Sequence, residues 1–68
     1  MSYYVLLLNT NEKVMLTNVT TTDAIVQYYN NGRKSRKSKA TIKYYNNKPY
    51  VMCCGHRYYL DRFVKFEL

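Results

Sequence analysis

Ala24-Ile25-Val26-Gln27-Tyr28-Tyr29-Asn30-Asn31 and Ala40-Thr41-Ile42-Lys43-Tyr44-Tyr45-Asn46-Asn47 are near copies of one pattern, and the way they are read decides the fold. The second copy reads as a strand. Asn46-Asn47-Lys48 makes a turn, and Pro49-Tyr50-Val51-Met52-Cys53 returns as a hairpin partner, with proline at a position the start of a strand tolerates. The first copy carries conflicting signals. Thr22 or Asp23 can cap a helix, Ile25, Tyr28 and Tyr29 fit helical spacing, and Gly32 can close it. Against this, Thr, Ile, Val and Tyr favour a pleated surface, and a helix of about nine residues is marginal without tertiary support. The echo tips the first copy to a strand, and the alternative is an α+β fold with a short helix at about 22–31.

Outward from these copies the same grammar continues. Tyr3-Tyr4-Val5-Leu6-Leu7-Leu8 is an apolar run ended by Asn9-Thr10-Asn11-Glu12, and Lys13-Val14-Met15-Leu16-Thr17 alternates with Val14 and Leu16 on one face. Together they predict a hairpin with a loop of about four residues. At the other end the chain turns at Gly55-His56 and gives a final strand over 57–66 with a bend near Asp61. Its even positions Tyr58, Leu60, Val64 and Phe66 are expected on one face, interrupted by Arg62. The expected fold is therefore all-β, a single-domain antiparallel meander or barrel of 5–6 short strands, with residues 1–68 forming one small β-barrel-like domain and a basic loop at 32–39. A chain of 68 residues buries only about 60% of its unfolded surface, which makes a homo-oligomer an option.

Eleven Lys and Arg against four Asp and Glu give a formal charge of +7. Such an excess selects partners rather than folds and favours polyanions. The longest wholly apolar run, Val5-Leu6-Leu7-Leu8, is too short for a bilayer span or a signal h-region, so the expected location is cytoplasmic with no membrane partner. The two cysteines, Cys53 and Cys54, are adjacent, which excludes a disulfide framework.

Nine tyrosines accompany only two phenylalanines and no tryptophan, a bias that values the hydroxyl or a wet ring face. AT-rich codon usage raises Tyr, Asn and Lys together, yet it should also raise Ile and Phe, which are scarce. Eight of the tyrosines form adjacent pairs, Tyr3-Tyr4, Tyr28-Tyr29, Tyr44-Tyr45 and Tyr58-Tyr59. Neighbours on a strand face opposite sides, so each pair should place one ring inward and one outward. Parity assigns Val26 with Tyr28, Ile42 with Tyr44, and Tyr58 with Leu60 inward. Tyr29, Tyr45 and Tyr59 then point outward beside Lys43 and Arg57, an arrangement suited to base stacking with phosphate partners. The plainer role for outward tyrosines is to cover the sheet and pair across strands.

Arg33-Lys34-Ser35-Arg36-Lys37-Ser38-Lys39 carries five cations and no apolar residue. It reads either as a solvated tip that discourages edge aggregation or as a flexible arm whose Arg33, Lys34, Arg36, Lys37 and Lys39 follow phosphates. The expected function is a small basic nucleic-acid-binding module, for DNA or RNA, of low sequence specificity. Two rivals use the same cations: a protein-interaction or inhibitory accessory protein of the mobile-element type docking a basic face on an acidic protein surface, and an oligomer sequestering a small phosphorylated ligand.

Catalytic and cofactor readings are weaker. Cys53, Cys54 and His56 supply at most part of a metal site, since the chain has no other Cys or His. A Cys54–His56 nucleophile lacks a group to orient the imidazole. Glu12, Asp23, Asp61 and Glu67 form no evident carboxylate pair, Asp61-Arg62 reads as a local ion pair, and Gly32 and Gly55 are turn residues rather than a phosphate cradle. No enzyme activity, cofactor or metal is expected.

Overall fold

The computed structural model describes residues 2–53 and 55–67. The fold is all-β: nine strands and one 3-10 turn, with no α-helix among the described residues. The strands are β1 (Ser2–Leu7), β2 (Glu12–Thr17), β3 (Asp23–Asn30), β4 (Arg33–Lys34), β5 (Ser38–Thr41), β6 (Lys43–Tyr45), β7 (Lys48–Cys53), β8 (His56–Tyr59) and β9 (Val64–Glu67). Both copies of the repeated pattern are extended, so the short helix at about 22–31 does not form.

The larger sheet runs β4-β3-β2-β1-β9, with β5 also on β3, and a second sheet runs β6-β7-β8. Every pairing is antiparallel. Between β5 and β6 the chain passes from one sheet to the other at the buried Ile42. Among the described residues no strand of the second sheet is hydrogen-bonded to the first, so the barrel is open. The core lies between the sheets: Leu6, Val14, Leu16, Ala24 and Val26 from the larger one meet Ile42, Val51, Tyr58 and Phe63. Val14, Leu16 and Val51 are fully buried, and burial of such side chains contributes about 1.5–3 kcal/mol each.

Short polar side chains set the turns. In the β1–β2 loop the Asn11 amide donates to Asn9 Oδ1 at 2.8 Å, and Asn9 Nδ2 donates to Glu12 Oε1 at 2.7 Å. Before β3, Thr20 Oγ1 accepts from the Asp23 amide at 3.1 Å while the Thr20 amide donates to the Asp23 carbonyl at 2.8 Å. Asn31-Gly32 and Asn46-Asn47 all have positive φ, 53° and 80° in the first pair and 51° and 64° in the second. Two consecutive left-handed residues are what a tight two-residue hairpin requires, and Asn and Gly adopt them at least cost.

Three expectations are corrected. The basic segment is exposed, but it is not a flexible arm: β4 pairs with Tyr29 and Asn30, β5 pairs with residues 23–26, and Ser35 ties the stretch between them. The Ser35 amide donates to the Tyr28 carbonyl at 2.8 Å, and the Tyr28 amide returns a bond to Ser35 Oγ at 2.9 Å. In the last segment the 3-10 turn at Leu60–Arg62 changes the strand phase, so that Phe63 enters the core while Val64 and Phe66 are 59% and 43% exposed. Tyr44, opposite Pro49, keeps the face of Val51 and Tyr58, yet it is 62% exposed rather than buried, because β6 is the edge of the small sheet and the chain has already left the larger one at Ile42.

Candidate nucleic-acid interface

Hairpin register builds the site. The two-residue turn at Asn46-Asn47 sets Tyr45 opposite Lys48 and Lys43 opposite Tyr50. The turn that follows β7 sets Tyr50 opposite Tyr59, Val51 opposite Tyr58 and Met52 opposite Arg57. Directly opposed residues in an antiparallel sheet share a face. Lys43, Tyr45, Lys48, Tyr50, Met52, Arg57 and Tyr59 therefore occupy one face of the small sheet, while Val51 and Tyr58 occupy the other and enter the core.

Contacts on that face are aromatic and cationic. The Tyr50 and Tyr59 rings lie 5.5 Å apart with planes inclined at 52°. The Arg57 guanidinium lies 5.2 Å from the Tyr50 ring centre and 5.4 Å from that of Tyr45, within cation–π range. Tyr50 is only 9% exposed yet does not belong to the core cluster; Tyr59 and Arg57 cover it from the outer side. It forms the floor of the face, and Tyr45, 53% exposed, stands at one end. Tyr45 and Tyr59 sit on strands with one strand between them, about 10 Å across the sheet. A recess of about 410 Å³ opens between them, lined by Tyr45, Asn46, Lys48, Tyr59, Asp61 and Arg62.

Four of the ten residues expected at a binding site, Lys43, Tyr45, Arg57 and Tyr59, thus share a face. Tyr29 does not join them. It lies on the larger sheet, with Lys13 Nζ 4.9 Å and Lys34 Nζ 5.9 Å from its ring centre, and its hydroxyl donates to Gln27 Oε1 at 3.1 Å. Arg33, Lys34, Arg36, Lys37 and Lys39 are exposed along the β4–β5 edge of that sheet, and Lys39 is paired with Asp23 at 3.6 Å. The cations and rings therefore form two clusters on two sheets. Lys48, Tyr50, Asn46, Asp61 and Arg62 were missed. Reading Asn46-Asn47 as a two-residue turn, rather than including Lys48, brings Lys48 and Tyr50 onto the face by register alone.

Charge on the small sheet is uncompensated. Among the described residues the ion pairs are Lys39–Asp23 and Lys65–Glu67, the latter at 3.2 Å, which leaves Lys43, Lys48 and Arg57 without a carboxylate. The Lys65 ammonium is held above its ordinary value, chiefly by its hydrogen bond to Glu67. The Glu12 carboxyl is held below the ordinary carboxylate range by the Tyr28 hydroxyl, which donates to it, and then by Asn9. Asp61, expected to pair with Arg62, makes no ion pair among the described residues and lines the recess instead.

Cys54 lies outside the described residues, and with it the expectation about a Cys54–His56 nucleophile. Cys53 and His56 are opposed across the β7–β8 hairpin, and the His56 ring lies 6.3 Å from that of Tyr58. Among the described residues no three His, Cys, Asp or Glu side chains are grouped to hold a metal ion, and no helix is long and apolar enough to cross a membrane. Comparison with protein-family models, curated proteins and solved structures finds no match to this chain.

Proposed function

We propose that this protein binds single-stranded nucleic acid, DNA or RNA, on the outer face of the β6-β7-β8 sheet. The observation that carries the reading is the shared face of Tyr45, Tyr59, Lys43, Lys48 and Arg57, floored by Tyr50. The exposed Tyr45 ring and the half-buried Tyr59 ring accept base stacking of any sequence, and cations without carboxylate partners neutralise phosphates. A duplex hides its base faces, whereas a single strand offers them, so the tyrosines favour the single strand. Backbone attraction and ring stacking together give affinity with little sequence preference. The Lys13, Tyr29 and Lys34 cluster and the remaining β4–β5 cations add attraction at a distance rather than contacts on the same face.

The test is a fluorescence titration of single- and double-stranded oligonucleotides against three proteins: the native chain, Lys43→Gln/Lys48→Gln/Arg57→Gln, and Arg33→Gln/Lys34→Gln/Arg36→Gln/Lys37→Gln. The first variant loses single-strand binding, and the second weakens it less despite removing more charge. Equal losses in proportion to charge removed would reduce the interface to non-specific attraction.

A second reading, docking on an acidic protein, draws on a different surface. The outer side of the larger sheet carries an apolar groove of about 770 Å³ lined by Tyr3, Val5, Leu7, Met15, Val64 and Phe66, with Lys13 and Arg62 also in its lining. Exposed apolar surface beside cations suits an apolar segment with acidic residues. A Leu7→Ser/Val64→Thr variant separates the readings, because it leaves oligonucleotide affinity unchanged while weakening such a protein complex.

A further inference from the structure

We infer that the recess between Tyr45 and Tyr59 selects guanine, with Asp61 as the selecting residue; this rests on the single-strand reading above and adds a base preference to it. Three of the four Asp and Glu side chains are engaged. Glu12 accepts from Tyr28 and Asn9, Asp23 faces Lys39 and accepts from Thr20, and Glu67 pairs with Lys65. Asp61 alone has neither an ion-pair nor a hydrogen-bond partner among the described residues, although Lys48 and Arg62 line the same recess. A carboxylate repels phosphate, so a surface serving only the nucleic-acid backbone gains nothing from one in its recess.

An ionised carboxylate only accepts hydrogen bonds, and it can accept two side by side. Among the common bases only guanine presents two adjacent donors on its pairing edge, the ring N1–H and the exocyclic N2 amine. Adenine and cytosine each pair one amine with an acceptor, and thymine and uracil set one N–H between two carbonyls. Guanine also carries a carbonyl, O6, beside those donors, and Lys48, Arg62 and the Asn46 amide are the donors in the recess that suit it. One tyrosine ring takes a face of the base while Asp61 reads its edge, as single-strand recognition by exposed edges requires. Asp61 lies in the exposed 3-10 turn at Leu60–Arg62, outside the core, so it can be changed without disturbing the fold.

The experiment titrates thymidine heptamers bearing one central guanine, hypoxanthine, adenine, cytosine or thymine against the native chain and Asp61→Asn. Guanine is expected to bind about 5-fold tighter or more than the other four, the lower end of the discrimination of a good bidentate contact. Hypoxanthine, which lacks the N2 amine, should fall with the others. Asp61→Asn should erase the preference while binding the all-thymine strand as tightly as the native chain or tighter, since a negative charge is gone. Equal affinity for all five strands, or a uniform loss in Asp61→Asn, overturns the guanine assignment and leaves stacking standing. Absence of binding to every strand overturns the single-strand reading together with it.

Discussion

Removing the Tyr45 ring tests the stacking surface at the point where fold and function are most separable. Tyr45 is half exposed, belongs to no core cluster, and contributes to the folded state mainly through the Arg57 guanidinium over its ring. Loss of an exposed cation–π contact costs about 0.5–1 kcal/mol, which lowers the melting temperature by a few degrees but leaves the protein folded at 25 °C. Stacking of one base on an aromatic ring is worth about 1–3 kcal/mol, so Tyr45→Ala should weaken single-strand binding by about 5- to 150-fold. Tyr45→Phe keeps the ring and its face and should bind within about 2-fold of the native chain. Anisotropy of a labelled oligonucleotide reads the affinity, and a urea titration of each variant confirms that the fold persists. Unchanged affinity in Tyr45→Ala would refute stacking at this position. Equal loss in Tyr45→Phe would instead make the hydroxyl the active group, contrary to the reasoning.

Three further outcomes are expected. With three cations on the face, Lys43, Lys48 and Arg57, log affinity for a single strand should fall against log salt with a slope of about −2; a slope of about −5, measured by titration at several salt concentrations, would bring the β4–β5 cations into contact as well. Phe63→Ala, emptying a core position, should cost about 3–5 kcal/mol, while Phe66→Ala, which loses a ring stacked 5.3 Å from Tyr3 on the exposed side, should cost well under half as much in the same urea titration. Glu12 titrates in the folded state below its ordinary 4.5, so its contribution to stability is present above that value and is lost as pH falls through the lower folded value; the urea-midpoint gap between the native chain and Glu12→Gln should therefore shrink between about pH 6 and about pH 3, and a gap independent of pH would refute the role of the Tyr28 and Asn9 hydrogen bonds.

Strand content was legible in the alternation of Val14 with Leu16, which is local and marks an inward face without knowledge of neighbours, whereas residues 24–31 needed the echo at 40–47 to be read as a strand. The first hairpin was legible for the same reason, with its loop at residues 8–11 between β1 and β2. Phase was lost wherever backbone geometry departed from an unbroken strand. The 3-10 turn at Leu60–Arg62 is one such place: its tighter rise per residue differs from that of a strand, so parity counted from Tyr58 gave Phe66 the core position that Phe63 holds. The basic run was misread in a different way. Its composition excludes burial but not pairing, and Ser35 supplies hydrogen bonds through both backbone and hydroxyl that hold the run along β3.

The two copies of the repeated pattern differ for a reason that also explains the site. In β3 the pattern stays in one sheet for eight residues, so Val26 and Tyr28 face the core and Tyr29 faces out, as alternation requires. In the later copy the chain breaks at Ile42, which keeps its inward position while β6 departs as the edge of a second, three-stranded sheet. Tyr44 then has no core to enter, and Tyr45 is carried away from the Tyr29 cluster onto the face with Lys48, Tyr50, Arg57 and Tyr59. A sequence pattern fixes which residues alternate, but not which sheet receives them, because that depends on a partner strand more distant in the chain. Restoring continuity is therefore a direct perturbation of the site: any change that kept β6 in the larger sheet would bury Tyr44, separate Tyr45 from Lys48, and remove the face without deleting one of its residues.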